Sequence, residues 1–334
     1  MFSLTGWDGT FPLPSLCWLI LASMAVDWLL GDPPRPTHPV RMMAWCALWW
    51  ERLWRRAVPG TQWERMGGVL MLICLSLLVV LTAAGWLRGL GIISAWLQWT
   101  AAVWLLSTTI AARELLRAAE KVERLLKASD LRGARQAVGL IVGRDTAALD
   151  GEGVVRATVE SVAENIVDGV SSPLFYALFF GIPGALWYRL VNTLDSLVGY
   201  LTPRYRRFGW AAARMDDVVN WLPARMTGLG LLIVGSCLGL DARGGWRAWR
   251  RDAARHPSPN SGIPEAVMAG MLQVQLGGVN RYQGREQYRA TMGEPLQPLT
   301  VEKIGASCRV LRAFVGLLFC FTLGIGVSSW LFTR

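Results

Sequence analysis

The chain has 334 residues with a formal net charge of +10, yet 53% of its residues are hydrophobic and only 17% are charged. A soluble domain carries about 25% charged residues, so the composition argues against a soluble globular enzyme and for a polytopic membrane protein. Nucleic acid is not an expected partner, because no binding motif accompanies the basic charge and the charge is spread over loops between apolar segments.

The N-terminal stretch MFSLTGWDGTFPLPS is followed by no Lys or Arg before Arg35, so it lacks the positive start of a cleavable signal. Five long apolar stretches follow, at 11–30, 67–87, 92–110, 170–191 and 313–333. A sixth, 226–240, is short of the roughly 20 residues a span needs. The eighteen tryptophans fit anchoring at a membrane interface. The six cysteines form no C-x-x-C pair and read as buried thiols.

Arginines crowd the segment after the first span, with Arg35, Arg41, Arg52, Arg55, Arg56 and Arg65, whereas Arg88 alone separates the second and third spans. The positive-inside rule therefore predicts an outer N-terminus, 31–66 inside, an outer turn near 88–91 and 111–165 inside. The stretch from ARELLRAAEK has Leu115, Ala119, Val122 and Leu126 at helical spacing, which predicts an amphipathic helical hairpin over 111–165. The 170–191 segment contains Pro173, Gly181, Pro183 and Gly184, and makes a broken or re-entrant helix the favoured reading there. The expected fold is an all-α polytopic membrane protein of four to six transmembrane or re-entrant helices plus amphipathic cytoplasmic helices. It forms one integral membrane domain over 1–334, with a cytoplasmic loop and helix segment at 241–310.

Polar clusters punctuate the chain. The first, DWLLGDPPRPTHPVR, carries Asp27, Asp32, His38 and Arg41. GRDT then supplies Arg144 and Asp145, and ESVAENIVDG sets Glu160, Glu164 and Asp168 four residues apart, with Arg156 one turn earlier. On a helix these acids share a stripe and repel by a few tenths of a kcal/mol per pair, roughly, so arginines or a cation must compensate. VNTLDS places Asn192 and Asp195 on one helical face, and ARMDDVVNWLPAR adds Arg214, Asp216, Asp217, Asn220 and Arg225. Finally RHPSPNSGIPEA and LGGVN bring His256, Ser258, Asn260 and Asn280. Mg²⁺ prefers a few carboxylates plus substrate phosphates, and the arginines suit phosphate or carboxylate oxygens. The competing reading is plain salt-bridging between these acids and arginines.

These motifs, in this order, resemble the adenosylcobinamide-phosphate synthase family of cobalamin biosynthesis (CobD/CbiB) over nearly the whole chain. The resemblance implies a multi-pass enzyme of the bacterial inner membrane with its site on the cytoplasmic face. It would be an amide ligase joining adenosylcobyric acid to (R)-1-amino-2-propanol or its O-phosphate, with ATP as co-substrate and Mg²⁺. On that footing Glu164, Asp168, Asp216 and Asp217 are expected to hold Mg²⁺–ATP, with Asp195 a further ligand or the base. Catalysis is expected from Asp195, Asp216, Asp217 and Glu164. Arg144, Arg214 and Arg225 are expected on phosphate or propionate, His256, Ser258 and Asn260 on phosphate or corrin amides, and Asp32, His38 and Arg41 as a closing loop. The same motifs place Asp145, Arg156, Asn165, Asn192, Asn220 and Asn280 in the substrate-binding set. Expected partners are the corrinoid, the amine, the lipid bilayer, and a second copy or other cobalamin-biosynthesis enzymes. Rival readings are an Mg²⁺-dependent membrane transferase of a diphosphate- or nucleotide-linked alcohol, and a non-catalytic corrin transport or signalling protein.

Overall fold

The structure is a computed structural model that describes residues 11–31, 38–58, 60–200, 202–282 and 284–332. It is an all-α polytopic membrane protein. Four helical stretches are long and apolar enough to cross a bilayer: Leu13–Leu30, Thr61–Ile93, Gly151–Val198 and Glu302–Phe332. They become five if Trp210–Val219 and Trp221–Cys237 are counted as one bent span. The apolar stretch expected to span at 92–110 does not qualify. Ser94 interrupts it, leaving a 13-residue helix, Ala95–Ser107, which at 1.5 Å per residue falls short of the roughly 30 Å hydrocarbon core.

The chain divides into two compact units. The first comprises residues 1–111, 172–220 and 319–334. It contains α1 (Leu13–Leu30), α2 (Pro39–Ala57), α3 (Glu64–Ile93), α4 (Ala95–Ser107), α8 (Ser172–Val198) and α9 (Trp210–Val219). Helix α3 packs on α8 and α4, and α1 packs on α4. Leu16, Leu19, Met71, Leu87, Leu106 and Tyr188 are fully buried at these contacts. Polar bonds tie the bundle: Ser23 Oγ donates to the Val103 carbonyl at 3.2 Å and Trp187 Nε1 to Ser76 Oγ at 3.0 Å. The outer face of α3 leaves Leu77, Leu78 and Leu81 exposed, as a lipid-facing stripe requires. Helix α8 is interrupted at Gly181, whose φ of 67° is non-helical, just before Pro183; the proline cannot donate its backbone nitrogen and breaks the ladder there.

The second unit comprises 112–171 and 221–318. It holds α5 (Ala112–Lys127), α6 (Leu131–Val138), α7 (Gly151–Ile166), α10 (Trp221–Cys237), α11 (Ala242–Asp252), α12 (Gly262–Leu272), and an antiparallel hairpin of β1 (Leu276–Tyr282) and β2 (Arg285–Met292). Helix α13 (Glu302–Phe332) begins in this unit. Leu115, Ala119 and Val122 of α5 are buried, as their spacing predicts, with α5 packed on α6 and α7. Helix α12 is buried along its whole length and packs against α11, α10 and α7. The hairpin was not expected from the sequence, in which Gly277 and Gly278 weaken the strand pattern.

Candidate functional site

In the second unit the polar motifs collapse onto one buried cluster. Asp150 caps α7 by accepting from the Gly153 N–H at 2.8 Å, and the helix that follows carries Glu160 and Glu164 one turn apart. Asp168 sits in the π-helical turn Val167–Ser171, a geometry found mostly as single turns and frequently at functional sites. Glu160 is buried. Its Oε2 pairs with Arg144 Nη2, and its Oε1 accepts the Gly277 N–H at 2.7 Å. Arg144 Nη1 donates onward to Asn280 Oδ1. Gly277 has φ +84°, and a Cβ there would lie 2.3 Å from the Ala290 carbonyl oxygen; only glycine lets the strand bring its N–H onto Glu160. Repulsion along the acidic stripe is thus met at Glu160 by an arginine and a backbone donor.

Beside this pair stands a second. Glu265 is the one charged residue of the buried helix α12. Its Oε1 lies 3.8 Å from His256 Nε2, with the two side chains 2% and 5% exposed, and neither atom has a hydrogen-bond partner. The Ser258 N–H lies 3.1 Å from His256 Nδ1. Nδ1 also lies 3.2 Å from the Ser258 carbonyl oxygen, which can only accept; the tautomer with its proton on Nδ1 makes that bond and turns Nε2 toward Glu265 as an acceptor. Burial pushes His256 below its ordinary value, against the pull of Glu164. Burial, reinforced by Glu160 and Glu164 and opposed by Arg289 and Arg144, holds Glu265 well above the usual carboxylate range. Glu164 accepts from Ser261 Oγ at 3.0 Å, and Ser258 Oγ accepts the Asn260 and Ser261 N–H groups at 3.3 and 3.2 Å.

The remaining expected residues of this unit lie around the cluster. Arg156 Nη2 donates to the Val279 carbonyl at 3.1 Å and lines a cavity of about 420 Å³ with Gly277, Gly278 and Gln275. Asp145 is exposed and accepts the Gly284 N–H at 2.7 Å. Asn165 Nδ2 donates to the Ser161 carbonyl at 2.9 Å. Arg225 stacks over the Trp221 ring at 4.1 Å and reaches Asn260 Oδ1 at 3.5 Å.

The first unit gathers the other motifs. Asn220 is buried and its Oδ1 accepts from Ser172 Oγ at 2.7 Å and Tyr188 OH at 2.9 Å. Its amide donates to Asp216 Oδ2 at 3.0 Å, and Asn192 approaches Asp216 Oδ1 at 3.5 Å. Asp217 lies 3.7 Å from Arg214. Asp195 is half-buried on α8, His38 is buried at the start of α2, and Arg41 is exposed on α2. Asp32 lies outside the described residues. Among the described residues no three His, Cys, Asp or Glu side chains are grouped to hold a metal ion. Asp216 Oδ2 takes the Asn220 amide and Oδ1 lies at 3.5 Å from the Asn192 amide, which leaves each oxygen a further lone pair.

Sequence reasoning did not assign roles to Glu160, Glu265, Arg289 or Gly277. The signal for Glu265 was available: one carboxylate in an otherwise apolar run, GIPEAVMAGML, must be paired or functional. Arg289 offered none, because it sits in a strand with no motif around it.

The family described as "CobD/Cbib protein" matches residues 20–311. The chain is 44% identical over 289 residues to "Cobalamin biosynthesis protein CobD" of Geobacter metallireducens, covering 84% of this chain and 87% of that one. It is 41% identical to "Cobalamin biosynthesis protein CbiB" of Salmonella choleraesuis, covering 89% and 92%, and 42% identical to "Cobalamin biosynthesis protein CobD" of Halalkalibacterium halodurans, covering 91% and 95%. No solved structure matches. With a family match over most of its length and relatives above 40% identity, the chain belongs to the CobD/CbiB family.

Proposed function

We propose that this chain works in cobalamin biosynthesis as an adenosylcobinamide-phosphate synthase, joining the free propionate of adenosylcobyric acid to (R)-1-amino-2-propanol or its O-phosphate. The names of its relatives support the pathway. The observation that carries the reaction is the convergence of Arg144, Glu160, Glu164, His256, Glu265 and Asn280, drawn from separate motifs, into one buried cluster of the second unit.

Amide formation needs an activated acyl group, because a carboxylate oxygen leaves poorly. In the proposed reaction the propionate oxygen attacks the γ-phosphorus of ATP and ADP departs. The amine nitrogen then attacks the acyl carbon and inorganic phosphate departs, with the ammonium's proton passing to a protein base. Mg²⁺ enters as part of the nucleotide substrate, and such an ion asks the protein for one or two carboxylates while keeping water and phosphate oxygens. Asp216 and Asp217, with Arg214, are proposed to bind nucleotide in the first unit; Glu164 and Asp168 are proposed as acidic residues of the second. Arg225 is proposed to neutralise phosphoryl or propionate charge, the role guanidinium forks fill best, while Arg144 holds Glu160 and Asn280 in place. The site is proposed to face the cytoplasm from the bacterial inner membrane.

The test is turnover by the detergent-purified full chain supplied with adenosylcobyric acid, Mg²⁺–ATP and either amine. Corrinoid carrying a new amide, formed only with ATP, is the expected product, and mass spectrometry names the preferred amine. Corrinoid binding without product would leave a transport or binding role and remove the reaction.

A further inference from the structure

The His256–Glu265 pair is built like a receptor for a ligand rather than like a finished ion pair. Glu265 Oε1 and His256 Nε2 are buried and have no hydrogen-bond partner, and at 3.8 Å they are too far apart to satisfy each other. Leaving such groups unpaired is costly, a cost a fold carries where something else completes the contacts. Asn280 Nδ2, on the neighbouring strand, is buried and unpartnered as well.

The charge around the pair names the chemistry of what is missing. Glu265 feels two further carboxylates, Glu160 and Glu164, against two guanidiniums, Arg289 and Arg144. Burial and the two acids favour the neutral form of Glu265, so a cation brought against it is favoured and an anion disfavoured. Arg144 is committed to Glu160 and Asn280. A dication would want several oxygen ligands in one shell, which these residues do not group to provide. With the imidazole proton on Nδ1, bonded to the Ser258 carbonyl at 3.2 Å, Nε2 is an acceptor like Glu265 Oε1, and a single ammonium nitrogen can donate to both, since two contacts of about 2.8 Å close a triangle on this base. Glu164, half-buried and bonded to Ser261 at 3.0 Å, adds a further carboxylate acting on the pair.

We propose that the space between His256 Nε2 and Glu265 Oε1 seats the primary ammonium group of the amine co-substrate, with Glu265 as its counter-ion and His256 as a positioning residue. The identity of the amine rests on the synthase reading; the ammonium site rests on the geometry alone. It adds Glu265, and moves His256 from the corrin or phosphate side of the reaction to the amine side.

Two measurements on the full chain in detergent test it. Isothermal titration compares 1-amino-2-propanol with 1,2-propanediol, which has the same shape without the charge. Wild type is expected to bind the amine at least tenfold more tightly than the diol. Glu265→Gln is expected to erase that preference and Glu265→Asp to keep part of it. Equal binding of amine and diol by wild type, or an undiminished preference in Glu265→Gln, overturns the site. The titration needs neither ATP nor corrinoid, so it reads the site even if the synthase reading fails. In steady-state assays Glu265→Gln is expected to raise KM for the amine at least tenfold with KM for ATP unchanged. Unaltered KM for the amine alongside intact amide formation would remove this site and keep the synthase.

Discussion

His256 Nε2 faces Glu265 Oε1 across 3.8 Å inside a helix-packed interior, and that gap sets how the empty protein responds to pH. Glu265 is raised well above 4.5 by burial first and then by Glu160 and Glu164. A raised carboxylate contributes stability that is complete below its unfolded value and is lost as pH climbs toward the folded value. From about pH 4.5 upward, then, Glu265 makes the empty protein progressively less stable. Glu265→Gln removes that dependence. The variant should melt higher than wild type at pH 8, with the difference shrinking toward pH 5. His256, lowered by burial, works in the opposite sense but is present in both proteins, so the comparison isolates Glu265. A Gln variant that melts lower at every pH would contradict the raised carboxylate.

Arg144 should behave differently. Its guanidinium is buried with Glu160 and Asn280, and removing one partner of a buried pair strands the other charge. Arg144→Ala is expected to cost about 3–5 kcal/mol, and Arg144→Lys should recover only part of it because an ammonium lacks the fork that reaches both partners. Chemical denaturation in mild detergent reads both. A loss below about 1 kcal/mol for the alanine variant would mean the pair is solvated.

The contrast with Glu51 separates stability from function. Glu51 is 2% exposed on α2 and takes Arg55 Nε at 2.9 Å and Arg204 Nη2 at 2.9 Å. Both arginines are partly in solvent and can be rehydrated, so Glu51→Ala should cost less than the Arg144 variant, about 1.5–3 kcal/mol. It should leave KM for amine and ATP unchanged, because the bond ties α2 to the 202–209 loop within the first unit. A selective KM effect would move α2 into the binding machinery.

Much of this is legible in the sequence. Leu115, Ala119 and Val122 announced the buried face of α5 by spacing alone, and the long apolar runs gave the spans. The 92–110 run misled because hydropathy averages over Ser94, where the backbone turns extended and the helix ends. Arg144, Glu164, His256, Ser258, Asn260 and Asn280 were all singled out by motif, yet nothing in their spacing says that a strand from residue 276 onward lays Gly277 against Glu160. Long-range register is invisible in a single chain. Glu265 was legible as the one carboxylate of an apolar run, but its neighbours in space, His256 and the acids of α7, were not.

The central claim is that ATP activates the corrinoid's carboxylate before the amine attacks. Adenosylcobyric acid labelled with ¹⁸O in its free propionate tests this most directly, by mass spectrometry of the phosphate released during turnover by the purified chain. The account predicts one ¹⁸O in the inorganic phosphate for each amide formed, and the other retained in the amide. Amide formation with unlabelled phosphate, or no ATP-dependent amide with either amine, would contradict it.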